Sequence, residues 1–135
     1  MVVGGGAVAT RRVPALVEAG ARVLVVSPSL GPLLHDLAAR GVIRWQVRPY
    51  AAEDLDGAWL VHACTDDGAV NAAVAADCEA RRIWCVRADE ASASSAWTPA
   101  RTSVDGVTVA VLAGGDPRRA TAARDGIADF LRRHG

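Results

Sequence analysis

Three consecutive glycines, Gly4-Gly5-Gly6, follow the apolar pair Val2-Val3 and open a stretch of helical character that runs to Glu18. A strand that gives way to a helix over so few residues needs a tight turn and close backbone packing, which bulky side chains forbid. Gly4-x-Gly6-x-x-Ala9 also has the G-x-G-x-x-G/A spacing of a dinucleotide-binding turn. In that reading Gly4 permits the turn, Gly6 lets the main chain approach a pyrophosphate, and Ala9 allows close helix packing. The N–H groups at the helix start then hold the phosphates. A glycine turn with no ligand is the bland reading of the same residues.

The elements that follow agree with this turn. Residues 22–26 (RVLVV) read as a buried parallel strand, 32–40 as a short helix stopped by Gly41, and 43–47 as an edge-like strand with alternating polarity. Residues 58–63 (AWLVHA) are a fourth strand, 69–81 a helix and 83–86 a fifth strand. Pro14 is expected to kink the first helix and Gly20 to cap it. Met1 to Val3 read as the end of a strand whose beginning lies upstream, since buried strands usually run about five or six residues. Helices between most strands predict an α/β fold, a Rossmann-like open parallel sheet with its ligand at the carboxyl ends of the strands.

After Asp89 the character changes. Residues 91–95 form a small-residue loop, 107–112 (VTVAVL) a strand, and Asp116-Pro117 start a helix whose apolar stripe is Ile127, Phe130 and Leu131. Two domains are expected, a nucleotide-binding one over 1–97 and a small strand-helix dimerisation unit over 98–135. A lone strand and helix bury little surface, so pairing with a second chain, a homodimer, is the expected remedy.

Composition narrows the chemistry. All 15 basic residues are arginine, so a P-loop lysine and a Schiff-base lysine are excluded. They balance 15 acidic residues, which leaves no electrostatic footprint for nucleic acid or an anionic membrane. The longest apolar runs fall short of the roughly 20 residues of a membrane span. Cys64, Cys78 and Cys85 have no C-x-x-C spacing and read as reduced, buried thiols of a cytoplasmic protein. His35, His62 and His134 are scattered, His62 reads as a core residue, and no metal site is expected.

Candidate site residues sit where strands end. Ser27-Pro28-Ser29 stand where an acid normally holds the ribose hydroxyls; here Ser27 or Ser29 takes that place, and the choice of NAD or NADP stays open. Thr65 and Asp66 are expected to line the nucleotide cleft, Asp67 to line it or cap the next helix, and Asn71 to support this loop. Asp89 ends the fifth strand. Either it moves a proton, with a pKa raised by partial burial, or it caps a loop.

Taken together, VVGGGAVATRR, AGARVLVVSP and DLDGAWLVHACTDDGAVNAAVAADCEARRIWCVRAD, followed by SAWTPA and VTVAVLAGGDPRRA, resemble the precorrin-2 dehydrogenase/sirohydrochlorin ferrochelatase family. These are stand-alone dehydrogenases or the N-terminal dehydrogenase part of siroheme synthase, here in a version that looks actinobacterial. The Thr65-Asp66-Asp67-x-x-x-Asn71 block and Cys85-x-x-x-Asp89 are more specific than the glycines. The resemblance implies NAD-dependent oxidation of precorrin-2 to sirohydrochlorin, on the way to siroheme or cobalamin, with metal insertion in some relatives. It places the catalytic aspartate at Asp89, NAD contacts at Ala7, Val8, Pro28 and Ser29, and a homodimer through the small unit. Because the implied substrate is a polycarboxylate, Arg87, Arg101, Arg118 and Arg119 are candidate clamps. A serine of some bifunctional relatives is Ala113 here, so its regulation by phosphorylation is not carried over; the chain ends at Gly135, ahead of a further helical segment, and ferrochelatase activity stays an open alternative. The competing expectation is a non-catalytic NAD-binding regulatory module or a dimerisation piece.

Overall fold

The computed structural model describes residues 1–134. Contacts divide the chain into two compact units, Met1–Ala96 and a second from Trp97 onward. In the first, five short parallel strands alternate with helices: β1 (Val2–Val3), α1 (Ala7–Glu18), β2 (Leu24–Val26), α2 (Pro32–Ala39), β3 (Arg44–Gln46), β4 (Leu60–Ala63), α3 (Gly68–Ala80) and β5 (Trp84–Arg87). A turn of 3₁₀ helix, Ala52–Leu55, precedes β4. The spatial order is β3-β2-β1-β4-β5, every pairing parallel. Strand order therefore reverses beside β1, and the crevice outside the carboxyl ends of β1 and β4 is the switch point where such sheets take ligands.

Alternation along each strand explains why both faces are covered. Val2, Val25 and Cys64 point into one apolar cluster with Ala9, Val13 and Leu34 of the first two helices. Val3, Val61 and Ala63 point into the other with Val74 and Cys78 of α3. A sheet buried on both sides needs near-continuous apolar strands, which is how these segments read. Pro14 is carried inside an unbroken α1 on its exposed side. Gly20, at φ +80°, ends that helix: its N–H reaches the Val17 carbonyl and that of Ala21 the Leu16 carbonyl, a Schellman closure.

The outer edge of β5 is closed by hydroxyls rather than by a strand. Ser95 Oγ accepts from the Cys85 N–H and Ser94 Oγ from the Arg87 N–H, both at 2.8 Å. The small-residue loop thereby blunts an exposed edge.

The second unit corrects one expectation. Residues 107–112 are not a lone strand; β6 (Ala100–Val104) and β7 (Val107–Val111) form an antiparallel hairpin. Asp105 and Gly106 turn it, with φ of +47° and +82°, as a two-residue loop with Asp-Gly demands. Helix α4 (Pro117–His134) contacts both strands and buries Ala120 and Ala128. Among the described residues no helix is long and apolar enough to cross a membrane.

Candidate nucleotide cleft and the Asp89 carboxylate

Each glycine of the turn meets a different environment. Gly4 has φ +104°, and a Cβ there would lie 2.8 Å from the carbonyl carbon and oxygen of Cys64. At Gly5 a Cβ would lie 2.1 Å from the Ser29 carbonyl oxygen and 2.7 Å from Leu30 Cδ2. At Gly6 it would meet nothing within 4 Å. The first two glycines thus let the loops after β4 and β2 close against the turn, while the third faces open space where a ligand's phosphates can approach. Gly31 N–H donates to the Gly5 carbonyl at 2.8 Å and locks the loop after β2 in place.

Gly6 is also the N-cap of α1, and no side chain caps this helix end. The first N–H groups of a helix lack intrahelical acceptors, and its dipole favours an anion there. Ala7 is exposed and Val8 half-buried at this end. A cradle closed by backbone on two sides, open at Gly6 and lined by uncapped N–H donors, fits a dinucleotide pyrophosphate.

Along the strand tips the other candidates take distinct positions. Ser27 is buried and its carbonyl accepts from Trp45 Nε1 at 2.8 Å, whereas Pro28 and Ser29 are exposed. Asp67 is the N-cap of α3, accepting from Ala69 N–H at 2.8 Å. Asp66 is exposed beside it. Thr65 is tied to the fully buried Asn71: Asn71 Oδ1 accepts from Thr65 N–H at 3.1 Å and Oγ1 at 2.7 Å, and Nδ2 donates to the Thr65 carbonyl at 3.0 Å.

Asp89 lies just past β5, with its Oδ2 3.5 Å from where a Cβ on Gly68 would stand, so the carboxyl rests against the first turn of α3. Arg87 donates to both its oxygens and also pairs with Glu90 at 3.5 Å. The expected rise in the Asp89 pKa is overturned. The hydrogen-bonded Arg87 guanidinium holds this carboxyl below the usual carboxylate range, against a smaller opposing effect of burial. Arg87 is itself engaged within the chain, which the clamp reading did not foresee. Arg101, Arg118 and Arg119 lie in the second unit, all exposed, the last two at the start of α4 where Asp116 caps their N–H groups.

His62 is the core residue that the sequence suggests. It is buried in β4, and Arg12 of α1 lies 3.0 Å from its Nδ1, while Nε2 has no partner. Arg12 also reaches Cys64 Sγ at 4.0 Å. Parity could have found the pair's partner face: His62 alternates with Val61 and Ala63 and so faces α1. The three cysteines are free and buried, and the described residues contain no group of three or more His, Cys, Asp or Glu placed to hold a metal. Hollows of about 630 and 670 Å³ lie elsewhere in this unit, one at the amino ends of β2 and β4 and one beside Trp84 and Ser94. Backbone cradle and strand topology, rather than hollow size, mark the site.

Residues 1–100 match the NAD_binding_7 family, described as NAD(P)-binding. The chain belongs to this NAD(P)-binding family. The matched residues take in the glycine cradle and Asp89. Siroheme synthase of Chromobacterium violaceum is 47% identical over 115 residues, 85% of this chain and 24% of that protein. Siroheme synthase 1 of Serratia proteamaculans is 40% identical over 115 residues, again 85% and 24%. For siroheme synthase of Citrobacter koseri the match is 36% over 135 residues, 99% of this chain and 30% of that one. The chain spans about a quarter of the length of the first two relatives. Among solved structures, SirC, a precorrin-2 dehydrogenase, superposes with a TM-score of 0.81 at 26% identity, covering 96% of this chain and 64% of that one. This NAD(P)-binding chain is therefore similar to such proteins through the sheet and on into the second unit.

Proposed function

We propose that this chain is an NAD-dependent precorrin-2 dehydrogenase that forms sirohydrochlorin in the cytoplasm. The observation that carries the proposal is that the glycine cradle follows β1 and the Asp89 carboxylate follows β5, both at the carboxyl ends of a single parallel sheet. Its support from relatives is the likeness to siroheme synthases and to SirC over most of the chain.

The oxidation removes two hydrogens from the substrate, one as hydride and one as proton. Bound NAD supplies the hydride acceptor. Gly4, Gly5 and Gly6, with the N–H groups of Ala7 and Val8, would hold its phosphates, and Ser27, Pro28, Ser29, Thr65 and Asp66 would border its remaining length. Asp89 is ionised at neutral pH and takes the substrate proton on a carboxyl oxygen as general base. Orientation of the reacting carbon is the protein's larger contribution, since the cofactor carries the redox chemistry.

Arg101, Arg118 and Arg119 are exposed cations suited to a polycarboxylate, and we assign them to substrate capture. In the second unit Val107, Leu112, Ile127 and Phe130 are also exposed. We read these as the surface on which a second copy pairs to make a homodimer. Light scattering at the mass of two chains is the expected result.

The test is anaerobic incubation of the purified chain with precorrin-2 and NAD, or NADP, following sirohydrochlorin by absorbance. Product with NAD supports the proposal. NAD uptake without product overturns it in favour of a non-catalytic NAD-binding module.

A further inference from the structure

We infer that Asn71 is a positioning residue that holds the nucleotide-side loop and the Asp89 carboxylate as one unit. The inference rests on the assignment of Asp89 to proton transfer. Asn71 is 0% exposed, at the first turn of α3. A buried amide with two acceptor lone pairs and two N–H donors has four bonds to satisfy. Its oxygen takes both the N–H and the hydroxyl of Thr65, and one nitrogen proton goes to the Thr65 carbonyl. Because one end meets an N–H and the other a carbonyl, the backbone of Thr65 fixes which end is nitrogen.

That leaves one amide proton, and the Asp89 carboxylate stands over the same turn of α3. Gly68 stands three residues before Asn71, so the two share a face of α3, and Asp89 Oδ2 lies 3.5 Å from the Cβ position of Gly68. The Asn71 amide contributes to holding the Asp89 carboxyl ionised, behind Arg87. The other charged groups nearby are Glu90, which shares the Arg87 guanidinium, and Asp67, which is turned onto the N–H groups of its own helix. One buried side chain thus spans the gap between the loop after β4 and the loop after β5. Glycine or alanine at 71 would leave both loops with unanswered groups, and aspartate would keep only the oxygen half.

Asn71→Asp keeps the shape and the acceptor for the Thr65 N–H and hydroxyl, gives up the single bond to the Thr65 carbonyl, and turns an oxygen rather than a donor toward Asp89. NAD affinity should stay within about threefold of wild type, kcat should fall about 10- to 100-fold, and the acid limb of the pH–rate profile should move up by about one unit or more. Asn71→Ser, read alongside it by the same profile, should move the limb in the same direction by less. If either folded variant keeps the wild-type limb, or loses NAD affinity and kcat in proportion with the limb unmoved, Asn71 is only a loop staple and the inference falls. Asp89→Ala distinguishes this from failure of the underlying assignment: full turnover there removes the general base itself, whatever Asn71 does.

Discussion

The Arg87 guanidinium grips the Asp89 carboxylate with two hydrogen bonds, Nε to Oδ1 at 3.2 Å and Nη2 to Oδ2 at 2.7 Å. The Arg87 side chain is 10% exposed and the Asp89 carboxyl 32%. This gives the pair a protected cation and an acid that stays partly open to solvent. A carboxylate so held is fixed in direction and stays ionised, which suits a base that must be ready at neutral pH.

Arg87→Met should therefore act through Asp89. Losing the guanidinium raises the Asp89 pKa, so the base is protonated, and activity lost, at a higher pH than in wild type. A pH profile of kcat with the acid limb moved upward is the expected outcome. A raised KM with the limb unmoved would return Arg87 to the role of substrate clamp.

The glycine turn makes a paired prediction. Gly5→Ala drives a methyl group into the Ser29 carbonyl, and overpacking of that kind costs about 1–3 kcal/mol of stability. Its melting temperature should fall along with NAD binding. Gly6→Ala meets no protein atom within 4 Å, so it should melt close to wild type yet bind NAD about tenfold or more weakly, since the methyl occupies the phosphate approach. Calorimetric titration of both variants reads the contrast.

Much of this was legible in the sequence, and the failures are instructive. Strands β1 to β5 announced themselves because a doubly covered parallel sheet needs uninterrupted apolar residues. Their ends were read too long. Residues 22 and 23 look like strand, but the ladder between β2 and β3 begins only at Leu24. The β6–β7 hairpin was missed although Asp105-Gly106 is a strong hairpin signal. Its first strand, ARTSV, alternates small and polar residues and was absorbed into the preceding loop. The sequence points to Arg87 as a clamp and to Asp89 as an acid of raised pKa, without joining the two. Asp89 lies beyond the end of β5 at Arg87, where strand parity no longer fixes which side chains meet, so the pair is visible only in the structure.

His62 predicts how stability depends on pH. Burial, followed by the nearby Arg12 guanidinium, lowers its pKa from 6.5 to about 4. The unfolded chain takes up a proton near 6.5, whereas the folded chain resists until about 4, so this contribution is complete above 6.5 and shrinks as pH falls. Between pH 6.5 and 5 the loss is about 2 kcal/mol. His62→Gln keeps a neutral acceptor for Arg12 and should flatten that slope in urea melts at the two pH values. An equal slope in both proteins would contradict the assignment.

In the proposed reaction a nicotinamide dinucleotide and the Asp89 carboxylate act together on precorrin-2. The most direct measurement is anaerobic sirohydrochlorin formation by wild type and Asp89→Ala, with NAD affinity determined on the same samples. NAD binding is expected to be unchanged and turnover reduced about 100-fold or more in the variant. Wild-type turnover by Asp89→Ala, with NAD bound as tightly as before, would contradict the proposed reaction.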